Sequence, residues 1–199
     1  MTDRTKNLKE LDKITDGIAL NSGGVLLHCC CGPCATAVVE RLLSFVKPVL
    51  YYYNPNIQPR DEYEKRLVEL RKVAEKFSVP LIAEEYDESE FTSKVVGYER
   101  EKEGGARCPL CFSLRLDKTA TKAKELDLPY FCTTLTVSPH KNASLINEIG
   151  YQIEERTGVK WLPSDFKKRD GYRRSVILSQ ELDLYRQNYC GCLFGKEEN

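Results

Sequence analysis

The chain has 199 residues, and its 30 Lys and Arg are balanced by 30 Asp and Glu. That length suits one domain able to bury a sizeable core, so small size does not explain nine cysteines. The even charge gives no footprint of a polyanionic partner, and no apolar run approaches the length that crosses a bilayer, so no membrane partner is expected. The first residues, M-T-D-R-T-K-N-L-K-E, lack the apolar stretch of a secretory leader, and a cytoplasmic location is expected. Disulfide staples are rare there, which leaves metal ligation or thiol redox chemistry for clustered cysteines.

In chain order, Leu8, Leu11, Ile14, Ile18 and Leu20 fall mostly three and four apart and predict a helical segment within residues 1–22. Val25-Leu26-Leu27-His28 predicts a buried strand and residues 35–45 a helix, so Cys29, Cys30, Cys31 and Cys34 occupy a strand-to-helix turn. Strands are expected at 48–53, 80–86, 130–137 and 159–162, and helices at 60–77, within 88–107, from Cys108 to about 126, at 142–156 and at 176–185. A tail, 186–199, carries Cys190-Gly191-Cys192. The alternation predicts an α/β fold in one domain over 1–199: a parallel sheet flanked by helices, with the cysteine turn after the first strand. In such a sheet ligands bind at the carboxyl ends of strands, and a helix start stabilises thiolates.

Two of the cysteine groups contain C-x-x-C, at Cys31/Cys34 and Cys108/Cys111. That spacing lets two sulfurs on one turn face a common point, as zinc or an iron–sulfur cluster requires. The pairs lie too far apart in sequence for a compact zinc finger, although a zinc-binding structural module remains one reading. Cys31-Gly-Pro-Cys34 also matches the thioredoxin redox motif, which makes a thiol–disulfide oxidoreductase the main rival. Cys132, inside a strand, reads as core. Cys190-Gly-Cys192 would close a strained disulfide ring suited to redox traffic. His28 and Asp87 stand at strand ends, where each is a candidate ligand or acid, or else simply packing and a helix cap. Residues 166–174 concentrate five cations with two aromatics, a pattern that suits either a solvated loop or phosphates and a stacked base.

Taken together, H-C-C-C-G-P-C at 28–34, Y-N-P-N-I at 53–57 with Glu62, Tyr63 and Arg66, and R-C-x-x-C-F at 107–112 with Arg115 form one pattern. With Thr133-Thr134-Leu135, Ser138-Pro139, Lys141 and Y-R-Q-x-Y-C-G-C at 185–192, it resembles the QueH-type epoxyqueuosine reductases over almost the whole chain. The resemblance implies reduction of epoxyqueuosine to queuosine at the tRNA wobble position, the last step of queuosine biosynthesis, without cobalamin. It implies a HUP (nucleotide-hydrolase)-like sheet in which the cysteine turn replaces a phosphate loop. It also implies a [4Fe-4S] cluster on Cys29, Cys30, Cys108 and Cys111, with Cys190 and Cys192 as a redox-active pair. Spacing alone favours Cys31 and Cys34 as the first ligand pair, and these two stay open as ligands of the cluster or of an additional metal ion. Nothing in the sequence identifies the electron donor.

Overall fold

β1 (Val25–His28) is wholly buried and lies between β2 (Pro48–Tyr52) and β4 (Tyr130–Thr133). A strand covered on both faces needs apolar side chains on both, which is why Val25, Leu26 and Leu27 run without polar alternation. β3 (Leu81–Ala83) and β5 (Lys160–Trp161) complete the order β3-β2-β1-β4-β5, with every pairing parallel. The register sets Leu27 opposite Leu50 and Cys132, and Cys132 is fully buried, a core residue as its strand position implied. These features come from a computed structural model that describes residues 24–195; the helical segment expected within 1–22 lies outside the described residues, as does the tail beyond 195.

Helices flank the sheet. α1 (Gly32–Leu42) packs against α2 (Arg60–Lys76), whose buried Tyr63, Leu67, Leu70 and Ala74 recur at helical spacing. α3 (Ser89–Lys94) is short and leans on α4 (Arg107–Glu125), which crosses β1 and β4 and packs against α5 (Ala143–Thr157). α5 starts on an Asn142 side chain that accepts from Leu145 N and ends on Gly158 at φ 78°. α6 (Gly171–Glu181) returns to pack on α1.

The predicted alternation holds, with several displaced boundaries. The fourth strand stops at Thr133 rather than 137, because the Thr133 side chain accepts from Leu135 N and opens a 3₁₀ turn, Thr134–Val137. The last helix spans Gly171–Glu181 rather than 176–185, with Asp183 already at φ 47° beyond its end. The helix expected within 88–107 occupies only Ser89–Lys94. The first boundary matters most. In the order β3-β2-β1-β4-β5 the chain runs outward in opposite directions from β1 and β4, so the crevice between their carboxyl ends is the switch point where ligands bind in open α/β sheets. The cysteine turn and the 3₁₀ turn are its two walls.

Candidate functional site

The cysteine turn is fixed by its neighbours. Cys29 N donates to Tyr51 O at 2.8 Å, Asn54 Nδ2 donates to Cys29 O at 2.9 Å, and Cys30 N donates to Thr134 Oγ1 at 3.4 Å. Cys31 then takes extended backbone as the N-cap of α1, with Pro33 in the first turn. As a result the Sγ atoms of Cys30, Cys31 and Cys34 lie within 4.8 Å of one another, and those of Cys30 and Cys31 are 3.9 Å apart. Four thiolates around one ion at 2.3 Å would sit about 3.8 Å apart, so this group can hold a metal ion. Hydrogen bonds from Cys31 and Cys34 pull the Cys30 thiol well below its ordinary range despite its burial. The contact with Cys30 pushes Cys31 up to about 12, and Cys34 also upward. Cys29 turns the other way: it is fully buried, its Sγ lies 3.4 Å from Leu27 O, and burial raises its thiol.

Two adjoining hollows open at this edge. The smaller, about 100 Å³, is lined by Cys108, Cys111, Cys190 and Cys192 together with Asn56 and Arg107. The larger, about 400 Å³, is lined by Cys30, Cys34 and Cys190, with Tyr172, Arg186 and Gln187 at its side. Arg115, Lys141 and Cys190 belong to both. Cys29 lines neither. α4 brings Cys108 and Cys111 to the cleft on its first turn, where Gly104 N donates to Cys108 Sγ at 3.2 Å and buried Arg107 donates to the carbonyls of Tyr98 and Glu99. Burial raises the Cys111 thiol against the pull of Arg115. Lys141 is a cation at the junction of the hollows; burial disfavours its charge, but Cys190, Glu103 and Cys30 outweigh that and raise it overall.

The terminal pair is placed by a clamp. Arg66, 1% exposed, donates to Cys190 O at 3.1 Å and Tyr189 O at 3.2 Å, while Nε holds Glu62 at 2.7 Å. Gln58 N donates to Gly191 O at 2.9 Å, and Tyr189 Oη donates to Gln58 O at 2.7 Å. All three carbonyls from 189 to 191 are therefore taken. All nine cysteines are free thiols, so the disulfide expected from Cys190-Gly-Cys192 is not formed. Cys192 is buried in a cluster with Phe91, Val95 and Cys111, and Cys190, half-buried, packs against the same cluster; both line the smaller hollow. Burial pushes the Cys192 thiol up to about 11.

The remaining candidates divide. His28 is fully buried, with Nδ1 2.8 Å from Thr133 Oγ1 and Nε2 3.2 Å from Tyr53 O. Since a carbonyl only accepts, Nε2 carries the proton and Nδ1 accepts from the threonine; burial lowers its pKa to about 3, and the neutral ring ties β1 to β4. Asp87 accepts from Ser89 N at 2.9 Å in a side-chain turn just before α3, and lines neither hollow. In the basic stretch, Arg174 is paired with Glu40 at 2.7 Å and Lys167 with Asp165 at 3.0 Å, while Tyr172 is 39% exposed at the larger hollow. Arg66, Arg115, Lys141 and Asn56 entered the sequence reading only as parts of motifs. Each is buried or charged at the cleft, a placement that depends on contacts across long sequence separations.

The fold and cleft define an α/β protein with a thiol-rich centre at its switch point, a site for thiophilic metal or redox chemistry. Comparison with known proteins narrows this class. The family model described as epoxyqueuosine reductase QueH matches residues 25–198. Proteins named epoxyqueuosine reductase QueH are 45% identical over 176 residues in Streptococcus pyogenes, covering 85% of this chain and 69% of that protein, and 42% identical over 175 residues in Thermotoga maritima, covering 86% and 90%. The Staphylococcus epidermidis protein of the same name is 42% identical over 182 residues, covering 85% and 75%. The chain belongs to the QueH family of epoxyqueuosine reductases, and its class is oxidoreductase.

Proposed function

We infer that this protein reduces epoxyqueuosine to queuosine in the wobble position of tRNA, the closing step of queuosine biosynthesis, with a [4Fe-4S] cluster and without cobalamin. The observation that carries the reading is the small hollow itself: thiols from the start of α4 and from the tail surround it, and Arg107, Arg115 and Lys141 line it. A thiolate-ligated cluster carries net negative charge, so buried and half-buried cysteines among cations fit it. Cys108 and Cys111 hold the group from the smaller hollow and Cys30 from the adjoining one. Cys29, the fourth ligand implied by the resemblance, joins them only on turning its side chain out of the core. Cys30, Cys31 and Cys34 suit an additional metal ion, with Cys30 shared. The strand order and the turn after β1 support the HUP kinship.

The reaction consumes two electrons and two protons: both carbon–oxygen bonds of the epoxide break, a carbon–carbon double bond forms, and the oxygen leaves as water. A [4Fe-4S] cluster, when bound, supplies electrons one at a time and a Lewis-acidic iron. The chain's own groups do the rest. The Lys141 ammonium faces the cysteines of both hollows and offers a proton and a positive charge to the departing oxygen. Tyr172 and Arg186 line the wider hollow with an aromatic face and a cation for the nucleoside and its phosphates. The Cys190/Cys192 dithiol, held beside both hollows, passes two electrons inward as it closes to the disulfide, and an external donor reopens it. A cytoplasmic location follows from the substrate, and no helix of the described residues is long and apolar enough to cross a membrane.

The thioredoxin-type rival asks for a lowered pKa within Cys31-Gly-Pro-Cys34, yet the lowered thiol is Cys30, outside that motif. The test is turnover: anaerobic, reduced protein is incubated with tRNA carrying epoxyqueuosine, and the nucleosides are analysed by mass spectrometry. Loss of one oxygen from the modified nucleoside is expected with wild type, and neither product nor bound iron with Cys108→Ser. A Cys108→Ser protein that is active without iron would sink the cluster assignment.

A further inference from the structure

Asn56 is 2% exposed and lines the smaller hollow. Its Oδ1 is buried without a hydrogen-bond partner, and its Nδ2 donates to nothing among the described residues. The buried, unpartnered Oδ1 alone costs about 1–3 kcal/mol, and natural proteins keep few such side chains without a use for them. The position is not slack that a small movement would relieve. Two residues before it, Asn54 Nδ2 is fixed on Cys29 O and Asn54 O accepts from Ile57 N at 3.0 Å; two residues after it, Gln58 N is fixed on Gly191 O. The loop therefore holds Asn56 between the cysteine turn and the Cys-Gly-Cys tail, facing the cavity.

The surroundings say what the missing partner is. The lining thiols of Cys108 and Cys111 and the cations Arg107, Arg115 and Lys141 select an electron-rich, negatively charged occupant. The cavity, about 100 Å³, exceeds the roughly 10–15 Å³ that one water needs. A sulfur-rich anion accepts hydrogen bonds and gives none, so the end of Asn56 that answers it is the amide nitrogen. We propose that the buried Asn56 side chain, left unpaired in a hollow lined by Cys108 and Cys111, donates an N–H···S hydrogen bond to the iron–sulfur group bound there and raises its reduction potential. The proposal rests on the cluster reading given above. A hydrogen bond to sulfur favours the electron-rich reduced state over the oxidised one, so removing it makes the cluster harder to reduce. Asn56 is thus a positioning residue that touches the cofactor's sulfur rather than the substrate.

The test uses the full chain, reconstituted with iron and sulfide without oxygen, in wild type, Asn56→Leu and Asn56→Ala. Leucine is close to isosteric and removes both polar ends; alanine guards against a leucine variant that fails to fold. The readouts are the midpoint potential from an EPR-monitored titration and the shift of Fe–S stretching frequencies on transfer to D₂O. The expected result is an unchanged iron content, a more negative potential and a smaller D₂O shift in the variants. A folded, cluster-bearing variant with the wild-type potential and D₂O shift would overturn the proposal. Wild-type protein that assembles no cluster would overturn the underlying reading instead, and the two failures are told apart by the iron content of the wild type.

Discussion

Gly191 has φ 113°, and a Cβ there would meet Ile57 Cγ1 at 2.8 Å and an Arg66 guanidinium nitrogen at 3.1 Å. Gly191→Ala is therefore expected to lift the tail off its clamp at a cost of about 1–3 kcal/mol. Because the cysteines flanking it serve the cleft, activity should fall on the order of 10²-fold. Hydrogen exchange at the amides of 189–192 checks this, since the rest of the fold should keep its protection. Arg66→Met removes the buried cation that binds two carbonyls and Glu62, and should cost about 3 kcal/mol in urea denaturation; a loss below about 1 kcal/mol would mean that the clamp is weak. At this scale the sequence disclosed the cysteines, because thiols beside glycine and proline in turns have few uses. It did not disclose what Arg66, Lys141 and Asn56 do. Arg66 meets its tail partners 123 and 124 residues away, and no local pattern carries such a contact.

The elements were legible wherever burial imposes a period. β1 reads as a buried strand from four residues, and α1 from apolar residues at helical spacing. The misplaced ends have local causes: a threonine hydroxyl that caps a 3₁₀ turn after β4, and an α6 whose first turn carries Arg173 and Arg174 and so hides its apolar face. The fit of α5 to β5 rests on Gly150, where a Cβ would lie 2.3 Å from the Trp161 ring, whose Nε1 donates to Asn147 Oδ1 at 3.0 Å. Gly150→Ala should therefore destabilise the fold by about 1–3 kcal/mol through overpacking, despite alanine's better helix propensity. Thermal unfolding measures it, and a melting point at or above wild type would show that this contact yields freely.

Across the whole molecule, the parallel order β3-β2-β1-β4-β5 brings three separated cysteine segments to one sheet edge. The first follows β1, the second opens α4, and the third is the tail bound back by α2. No single segment makes the centre, which is why spacing within each motif left the ligand set open. The most direct measurement is iron and labile sulfide per chain in protein purified without oxygen. The account predicts roughly four sulfides with at least as many irons, lost together in Cys108→Ser. A sulfide-free protein holding stoichiometric zinc, even after reconstitution, would contradict it.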